Sequence, residues 1–268
     1  MTDRYAVIGN PVTHSKSPAI HAAFARETGE DIDYATLPAP LDAFECAVNA
    51  FRSGGGKGLN VTLPFKQQAA RYATRLSPRA RAAQAVNTLR FDADGVFGDN
   101  TDGAGLVRDL RDALGMPIGG KRVLLVGAGG AARGVIEPLL AEGPAQLVLA
   151  NRTETRAMEL AAAFGGRIVA ASFPSLAGGR FDMVINATSA SLRNDHLHLP
   201  AGVFGPGSLG YDMMYGKGET VFMAEARAAG AGRVADGLGM LVEQAAESFY
   251  VWRGVRPRTA PVLAQLRG

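Results

Sequence analysis

The sequence predicts an α/β protein of two domains, an N-terminal α/β domain and then a doubly wound, mostly parallel sheet. Three observations carry that expectation. Short apolar runs, of the kind a parallel sheet buries on both faces, alternate with segments of helical apolar spacing. One run, Val123-Leu-Leu-Val126, enters Gly127-Ala128-Gly129-Gly130-Ala131-Ala132 directly, and Val135, Ile136, Leu139 and Leu140 follow at helical spacing. A break at Gly115-Met-Pro-Ile-Gly-Gly120 separates this half from an α/β stretch of about 100 residues, a normal domain length.

Taken in order, residues 5–9 form a short buried strand that ends in the polar loop Asn10-Pro-Val-Thr-His14-Ser15-Lys16-Ser17-Pro18. Ser17 before Pro18 reads as a helix cap followed by a first-turn proline, so a helix runs to about residue 28 with Ile20 and Phe24 on its apolar face. A strand over 34–37 and a helix over 41–51 follow, then Gly54-Gly55-Gly56, a strand over 58–62 and a helix opened by Lys66. Residues 85–91 and 96–98, joined by Asp92-Ala-Asp-Gly95, read as a hairpin. A helix is expected over 104–114.

In the second half, strands are expected over 123–126, 146–150, 167–170, 183–186, 208–211 and 233–235. A helix over 238–252 and a short one after Pro261 have no strand partner and are expected to pack back on the first domain. The boundaries are then 1–103, completed by 239–268, and 104–238.

Composition sets bounds. With 268 residues, 47% hydrophobic and 20% charged, the chain is a soluble globular protein by composition, and a net charge of +3 does not call for nucleic acid as a partner. Cys46 is the only cysteine, which excludes an internal disulfide framework and cysteine-rich metal sites. No stretch suits a membrane span and the N-terminus lacks a signal-peptide pattern, so a cytoplasmic protein without a membrane partner is expected. His196-x-His198 has no evident third ligand, so no metal site is expected.

Strand, glycine turn and helix are the context in which G-x-G-x-x-[GA] marks a dinucleotide site of Rossmann type. Gly127 permits the tight turn, Gly129 lets backbone approach a pyrophosphate, and Ala132 still allows close helix–strand packing. The free N–H groups at the helix start suit the anion. A cofactor lacking a 2′-phosphate is usually held by an acidic residue at the second strand's tip. Here Asn151-Arg152-Thr153-Glu154-Thr155-Arg156 follows that strand, with arginines about the tip. Guanidinium groups bind a phosphate dianion bidentately, which favours NADP over NAD.

In the first domain, Ser15, Ser17, Asn60, Thr62 and Asn87 lie at strand or loop ends, as does the carboxylate Asp102. Such groups could hydrogen-bond a ligand with several hydroxyls. Lys66 stands at a helix mouth, where a cation is unfavourable, so it reads as a proton donor paired with an acid that the spacing alone does not identify.

These residues lie in ordered motifs along nearly the whole chain. They are His14-Ser-Lys-Ser-Pro18, Gly55-Gly-Lys-Gly-Leu-Asn-Val-Thr-Leu-Pro-Phe-Lys66, Ala85-Val-Asn-Thr88, Gly98-Asp-Asn-Thr-Asp-Gly103 and Gly127-Ala-Gly-Gly-Ala131. Asn151-Arg-Thr153, Asn186-Ala-Thr-Ser189, Tyr211-Asp-Met-Met-Tyr215 and Ala235-Asp-Gly-Leu-Gly-Met-Leu-Val242 with Gln244 complete them. In this the chain resembles the shikimate dehydrogenases, NADP-dependent enzymes that interconvert 3-dehydroshikimate and shikimate in the route to chorismate and the aromatic amino acids. The resemblance implies that Ser15 and Ser17, helped by Tyr215, bind the substrate carboxylate. Asn60, Thr62, Asn87, Asp102 and Gln244 would hold ring hydroxyls, and Lys66 and Asp102 would form the catalytic pair. Gly127, Ala128, Gly129, Gly130 and Ala131 would cover the pyrophosphate. Asn151, Arg152, Thr153 and Arg156 would take the adenosine ribose and its 2′-phosphate, and Thr188, Met213 and Gly237 the nicotinamide side.

Pro78 departs from the family, standing where some members offer a carboxylate. His14 is expected to orient its loop rather than to react. The alternatives are a quinate/shikimate dehydrogenase with broader cofactor use, against which the arginine pair argues, and a non-catalytic NADP sensor, against which Lys66 and Asp102 argue. A monomer and a homodimer are both compatible with the sequence.

Overall fold

The computed structural model describes residues 2–268, whose strands form two six-stranded sheets. One unit takes in the chain through Gly105 together with Leu241–Gly268; the other is Leu106–Met240. The fold is mixed α/β, as the sequence predicts.

In the first unit β1 (Asp3–Gly9), β2 (Ile32–Pro38), β3 (Gly56–Val61), β4 (Arg75–Leu76), β5 (Thr88–Asp92) and β6 (Gly95–Asp99) lie in the order β2-β1-β3-β5-β6-β4. β1 pairs in parallel with β2 and β3, while β5 is antiparallel to both β3 and β6. Tyr5, Ala6, Val7 and Ile8 are all buried, so β1 is covered on both faces. Phe44, Leu59, Val61, Phe65, Val86 and Leu89 belong to the core beneath. Helices α1 (Ser17–Thr28), α2 (Phe44–Ser53), α3 (Lys66–Tyr72) and α4 (Pro78–Ala83) follow in chain order.

The second unit strings β7 (Arg122–Val126), β8 (Gln146–Ala150), β9 (Val169–Ala171), β10 (Met183–Asn186), β11 (Leu209–Asp212) and β12 (Arg233–Ala235) into an all-parallel sheet of order β12-β11-β10-β7-β8-β9. The first and fourth of these strands, β7 and β10, lie side by side, which is the point where a doubly wound sheet reverses direction and opens a crevice. α5 (Asp102–Arg108) precedes this sheet; α6 (Gly130–Ala141), α7 (Glu154–Ala162) and α8 (Val221–Ala228) alternate with its strands.

α9 (Leu238–Arg253) and α10 (Ala260–Arg267) close the chain. Val242, Ala245, Ala246 and Phe249 of α9 and Val262 of α10 form one buried cluster with Ile20 and Phe24 of α1. Phe24 and Phe249 meet edge-to-face at 5.9 Å, and fully burying each ring stabilises by about 1.5–3 kcal/mol.

Several expected boundaries move, each for a local reason. Ser17 is the first residue of α1 rather than its cap; Lys16 occupies the cap position, and the Ser17 N–H donates to Ser15 Oγ at 3.2 Å. The expected helix over 41–51 starts only at Phe44, after a turn in which the Ala43 N–H donates to Pro40 O. The hairpin strands begin and end at Thr88–Asp92 and Gly95–Asp99, because the Val86 N–H is spent on Lys66 O. The helix expected over 104–114 changes at Asp109 into one π turn, closed by Leu114 N–H to Asp109 O at 2.9 Å. α4, capped by Ser77 accepting from the Ala80 N–H at 3.1 Å, has no counterpart in the sequence reading.

Candidate active site

Sheet register gathers the polar residues of the first unit at one edge. Asn60 of β3 stands opposite Thr88 of β5, and Thr88 opposite Asp99 of β6. Thr62 follows β3, Asn87 precedes β5, and Asn100, Thr101 and Asp102 follow β6, so all of these leave the sheet together.

Lys66, the first residue of α3, places Nζ 2.6 Å from Asp102 Oδ2. Asn87 Nδ2 donates to the other carboxylate oxygen, Oδ1, at 2.8 Å. The side chains of Lys66 and Asp102 are 28% and 16% exposed, so the pair is shielded yet open to a ligand. An ammonium has three protons, and one directed at Asp102 leaves two for other acceptors. Gln244 Oε1 lies 3.3 Å from Asn87 Nδ2 and 3.4 Å from Thr101 Oγ1, joining this cluster from α9.

The two asparagines have fixed amide orientations. The Thr101 backbone N–H can only donate, and it meets Asn87 Oδ1 at 2.8 Å, which turns Asn87 Nδ2 toward Asp102. Asn60 Nδ2 faces the Asn87 carbonyl at 3.2 Å, Thr88 Oγ1 at 3.3 Å and Ser248 Oγ at 2.9 Å. Its Oδ1 accepts from Tyr34 OH at 2.7 Å and is 3.1 Å from His21 Nε2. Asn60 is buried, and its amide is already spent within the protein. His21 stacks on Tyr34 at 4.2 Å. Burial drives its pKa down to about 3 against the opposing hydrogen bond to Asn60, so the ring is neutral and donates through Nε2. Burial likewise pushes the Tyr34 phenol up, opposed by a hydrogen bond with Ser17.

The turn that presents Asp102 is itself anchored. Asp99 accepts from Ser77 Oγ at 2.5 Å, from Arg79 Nε at 2.8 Å and Nη2 at 2.5 Å, and from the Asn100 N–H at 2.7 Å. Asn100 Oδ1 then accepts the Asp102 N–H at 3.2 Å. Burial raises the Asp99 carboxyl, but Arg79, Ser77 and the Asn100 N–H together hold it below its ordinary value. Glu247 pairs with Arg79 and Arg256 on the far side. Neither Asn100 nor Ser77 is among the residues the sequence singles out; the polar run Asp99-Asn-Thr-Asp102 is the visible signal for Asn100, and Ser77 before Pro78 is a cap signal.

Ser15 is half-buried, Ser17 buried and Thr62 half-buried, while His14 is exposed on the loop before α1.

In the second unit another register row sets the ligand-facing edge: Ala150, Val126, Asn186 and Asp212 stand side by side at the ends of β8, β7, β10 and β11. The loops that follow begin with Asn151, Gly127, Ala187 and Met213. Gly127 has φ +113°, and a Cβ there would press on Thr188 Cγ2 at 3.0 Å, so this position needs glycine. Ala128 is half-buried, and Gly129, Gly130 and Ala131 are exposed at the α6 N-terminus. A Cβ on Gly129 or Gly130 would meet nothing within 4 Å: the missing side chains leave free room above a helix start that has no acidic residue in its first turn. That room and that dipole fit a pyrophosphate.

Asn151 Nδ2 donates to Thr153 O at 2.9 Å, closing the turn into α7. Arg152 and Arg156 are exposed and make no ion pair among the described residues. Arg152 lines a cleft with Asn151, Phe173, Thr188, Arg193 and His196; Arg156 is not among the residues that line it. Arg193, which sequence reasoning missed, is held by Ser189 Oγ and Asp195 Oδ2, each at 2.9 Å. The unpaired guanidinium groups and the glycine cradle are the donor set an NADP dinucleotide requires.

Thr188 is oriented by Asn186 Oδ1, which accepts its N–H at 2.9 Å and its hydroxyl at 2.7 Å. Asn186 Nδ2 in turn donates to Asp212 Oδ1 at 3.0 Å, and Ser191, Thr220 and the Met214 N–H also donate to this buried carboxylate. Burial nevertheless keeps the Asp212 pKa raised. Gly237 donates its N–H to Met214 O at 3.0 Å, with its Cα against the Met213 backbone. Tyr215 follows β11 half-buried, and burial raises its phenol. His196 Nδ1 is 2.9 Å from Glu225 Oε1, and no cluster suited to a metal occurs among the described residues. No helix is long and apolar enough to cross a membrane among those residues.

Comparison with known proteins matches both halves of this description. Residues 7–89 fit the shikimate dehydrogenase substrate binding domain, 111–195 the shikimate / quinate 5-dehydrogenase family, and 237–267 the shikimate 5′-dehydrogenase C-terminal domain. The shikimate dehydrogenase (NADP(+)) of Dechloromonas aromatica is 62% identical, covering 100% of this chain and 98% of that protein. The crystal structure of an Ael1 enzyme from Pseudomonas putida superposes with a TM-score of 0.96 at 49% identity, over 99% of this chain and 98% of the other. Shikimate 5-dehydrogenase of Thermus thermophilus, solved with NADP(H) and shikimate, superposes with a TM-score of 0.89 at 34% identity, over 99% of each chain. With the glycine cradle, the free arginines and the lysine–aspartate pair in place, and relatives this similar along the full length, the chain belongs to the shikimate dehydrogenase family.

Proposed function

We propose that the chain catalyses the reversible, NADPH-dependent reduction of 3-dehydroshikimate to shikimate, with Lys66 and Asp102 as its acid–base pair. The observation that carries the reading is the contact of Lys66 Nζ with Asp102 Oδ2 at 2.6 Å, among uncharged donors and acceptors suited to ring hydroxyls. Ser15 and Ser17 hold the substrate carboxylate, and Tyr215 is assigned to the same group. Thr62, Asn87, Asp102 and Gln244 meet the hydroxyls, while Asn60, saturated by its neighbours, forms the floor beneath them.

NADPH, when bound, supplies the hydride. Gly127 to Ala131 hold its pyrophosphate, Asn151, Arg152, Thr153 and Arg156 its adenosine phosphate, and Thr188, Met213 and Gly237 line the nicotinamide side. As the substrate carbonyl carbon is reduced, its oxygen gains negative charge; the Lys66 ammonium stabilises that charge and gives the oxygen one proton, becoming a neutral amine. In the oxidation direction Lys66 takes the same proton back from the hydroxyl. Positioned proton transfer of this kind contributes roughly 10²–10⁴-fold. Asp102 fixes the direction of Nζ and accepts from the substrate.

The reading is compatible with a monomer or a homodimer. The reading includes a cytoplasmic site of action, where a nicotinamide cofactor pool is at hand. Nicotinamide absorbance in four parallel assays tests the assignment, with shikimate or quinate and with NADP or NAD. Turnover dominated by shikimate with NADP is expected. Comparable rates with quinate or NAD contradict the specificity, and no turnover with bound NADP contradicts the activity.

A further inference from the structure

The cluster around Asp102 contains a residue that touches neither lysine nor carboxylate, yet closes the network behind both. Ser248, on α9, is fully buried. Its Oγ lies 2.9 Å from Asn60 Nδ2, 2.8 Å from Thr88 Oγ1, 3.1 Å from Thr101 Oγ1 and 3.0 Å from Gln244 O. A hydroxyl offers one proton and two lone pairs, so four neighbours at these distances saturate it.

The proton directions around it are constrained. Asn60 Nδ2 donates to Ser248 Oγ, since an amide nitrogen has no acceptor capacity. Ser248 Oγ spends its one proton on the Gln244 carbonyl at 3.0 Å, so its lone pairs are what it offers to Asn60 and to the Thr88 and Thr101 hydroxyls, while Thr88 Oγ1 also lies 2.9 Å from Asn87 Oδ1. Thr101 Oγ1 accepts from Asn87 Nδ2 at 2.9 Å. Ser248 therefore sits between the two asparagines and fixes both threonines, and the threonines bracket the two ends of the Asn87 carboxamide. That carboxamide holds Asp102 Oδ1 at 2.8 Å while Lys66 holds Oδ2 at 2.6 Å.

We propose that Ser248 is a positioning residue for the reaction: through Thr88 and Thr101 it locks the Asn87 carboxamide, and so fixes the Asp102 carboxylate that aims the Lys66 ammonium. Its effect is transmitted through three hydrogen bonds and not through contact with substrate. Removing the hydroxyl takes one acceptor from Asn60 Nδ2, leaving it the Asn87 carbonyl and Thr88 Oγ1, and takes the shared partner from both threonine hydroxyls. The threonine hydroxyls then turn more freely and hold the Asn87 carboxamide less tightly, although the Thr101 N–H still sets its orientation, and the aim of Nζ loosens before the binding of the carboxylate end is touched. The kinetic half of this inference rests on the functional reading above; the geometric half does not.

The test is Ser248→Ala beside Val242→Ala, a truncation in the buried α9 cluster away from the polar network. In the serine variant kcat for shikimate with NADP falls roughly ten-fold, since a proton donor displaced from its productive position loses transition-state stabilisation, with KM for shikimate within two-fold. In the valine variant kcat stays at the wild-type value although the melting temperature drops. The Asn87 side-chain amide protons, followed by NMR, move in chemical shift and exchange faster with solvent in Ser248→Ala only. Wild-type kcat in Ser248→Ala, equal kcat losses in both variants, or unchanged Asn87 amide signals would each overturn the proposal. Should Ser248→Ala not fold, Ser248→Cys, which keeps a small polar atom, carries the same comparison. A wild-type protein inactive on shikimate contradicts the functional reading instead, and the Asn87 signals still decide the role of Ser248.

Discussion

Lys66 Nζ lies 2.6 Å from Asp102 Oδ2, and that single contact determines where the ammonium can point. The carboxylate is not free to follow the lysine, because Asn87 holds its other oxygen and Asn100 holds its backbone N–H. The Lys66 ammonium is therefore aimed by the protein before any ligand arrives, and in the proposed reaction that spares reorganisation of the proton donor.

Asp102→Asn is expected to lower kcat about 10²–10⁴-fold. The amide has only one acceptor atom, so an N–H must face either Lys66 or Asn87, both of which donate there. Steady-state kinetics with shikimate check this; a kcat within a few-fold of wild type excludes a catalytic Asp102.

Arg152→Gln and Arg156→Gln test the cofactor reading. Each guanidinium is exposed and free of carboxylate partners among the described residues, so each can be spent on the 2′-phosphate. A charge-assisted hydrogen bond contributes about 1.5–3 kcal/mol, so KM for NADP should rise about 10–100-fold per arginine while KM for NAD is unmoved. A parallel rise for both cofactors would assign the arginines to the part the cofactors share.

Gly127→Ala should weaken NADP binding at least about ten-fold and lower the melting temperature. The backbone there is at φ +113°, and the new methyl would meet Thr188 and Ala187. Fluorescence titration with NADP and thermal denaturation read the two effects; wild-type affinity would mean that the loop relaxes freely.

Stability should fall over two overlapping pH windows. Burial holds His21 at a pKa of about 3 in the folded protein, while an unfolded histidine titrates near 6.5. Protons therefore favour the unfolded chain below pH 6.5, and stability is lost progressively from there toward pH 3. At pH 4 the loss amounts to about 3 kcal/mol, and His21→Gln should remove this dependence. Asp99 and Glu247 have depressed pKa values, so their contribution is present above the usual carboxylate range and is lost only as pH falls through it. Chemical denaturation between pH 5 and 7 isolates the histidine; a flat profile there would mean that His21 is not buried in solution.

What could be read from the sequence depended on whether the signal was local. The strands Gln146–Ala150, Met183–Asn186 and Arg233–Ala235 agree with expectation to the residue, because each is a short run bounded by turn residues. The Ser17-Pro18 signal located α1 but misassigned its cap, because Ser15, two residues earlier, supplies the acceptor instead. The same Ser-Pro pair at Ser77-Pro78 went unread, since a six-residue helix has too few turns to show an apolar period. The spacing pointed to Lys66 as a donor, yet its acid came only with the family resemblance, because Asp102 is brought to it by strand register across β3, β5 and β6. Ser248 carried no signal at all. A lone serine within an apolar helix acquires its meaning from residues 147 to 188 positions away in the chain.

The most direct measurement is the steady-state kinetics of Lys66→Ala with shikimate and NADP. A loss of kcat of about 10²–10⁴-fold, with KM for shikimate little changed, is the predicted result, since the variant keeps the binding groups and lacks the proton donor. A kcat equal to that of the wild type would remove Lys66 from the reaction and contradict the account.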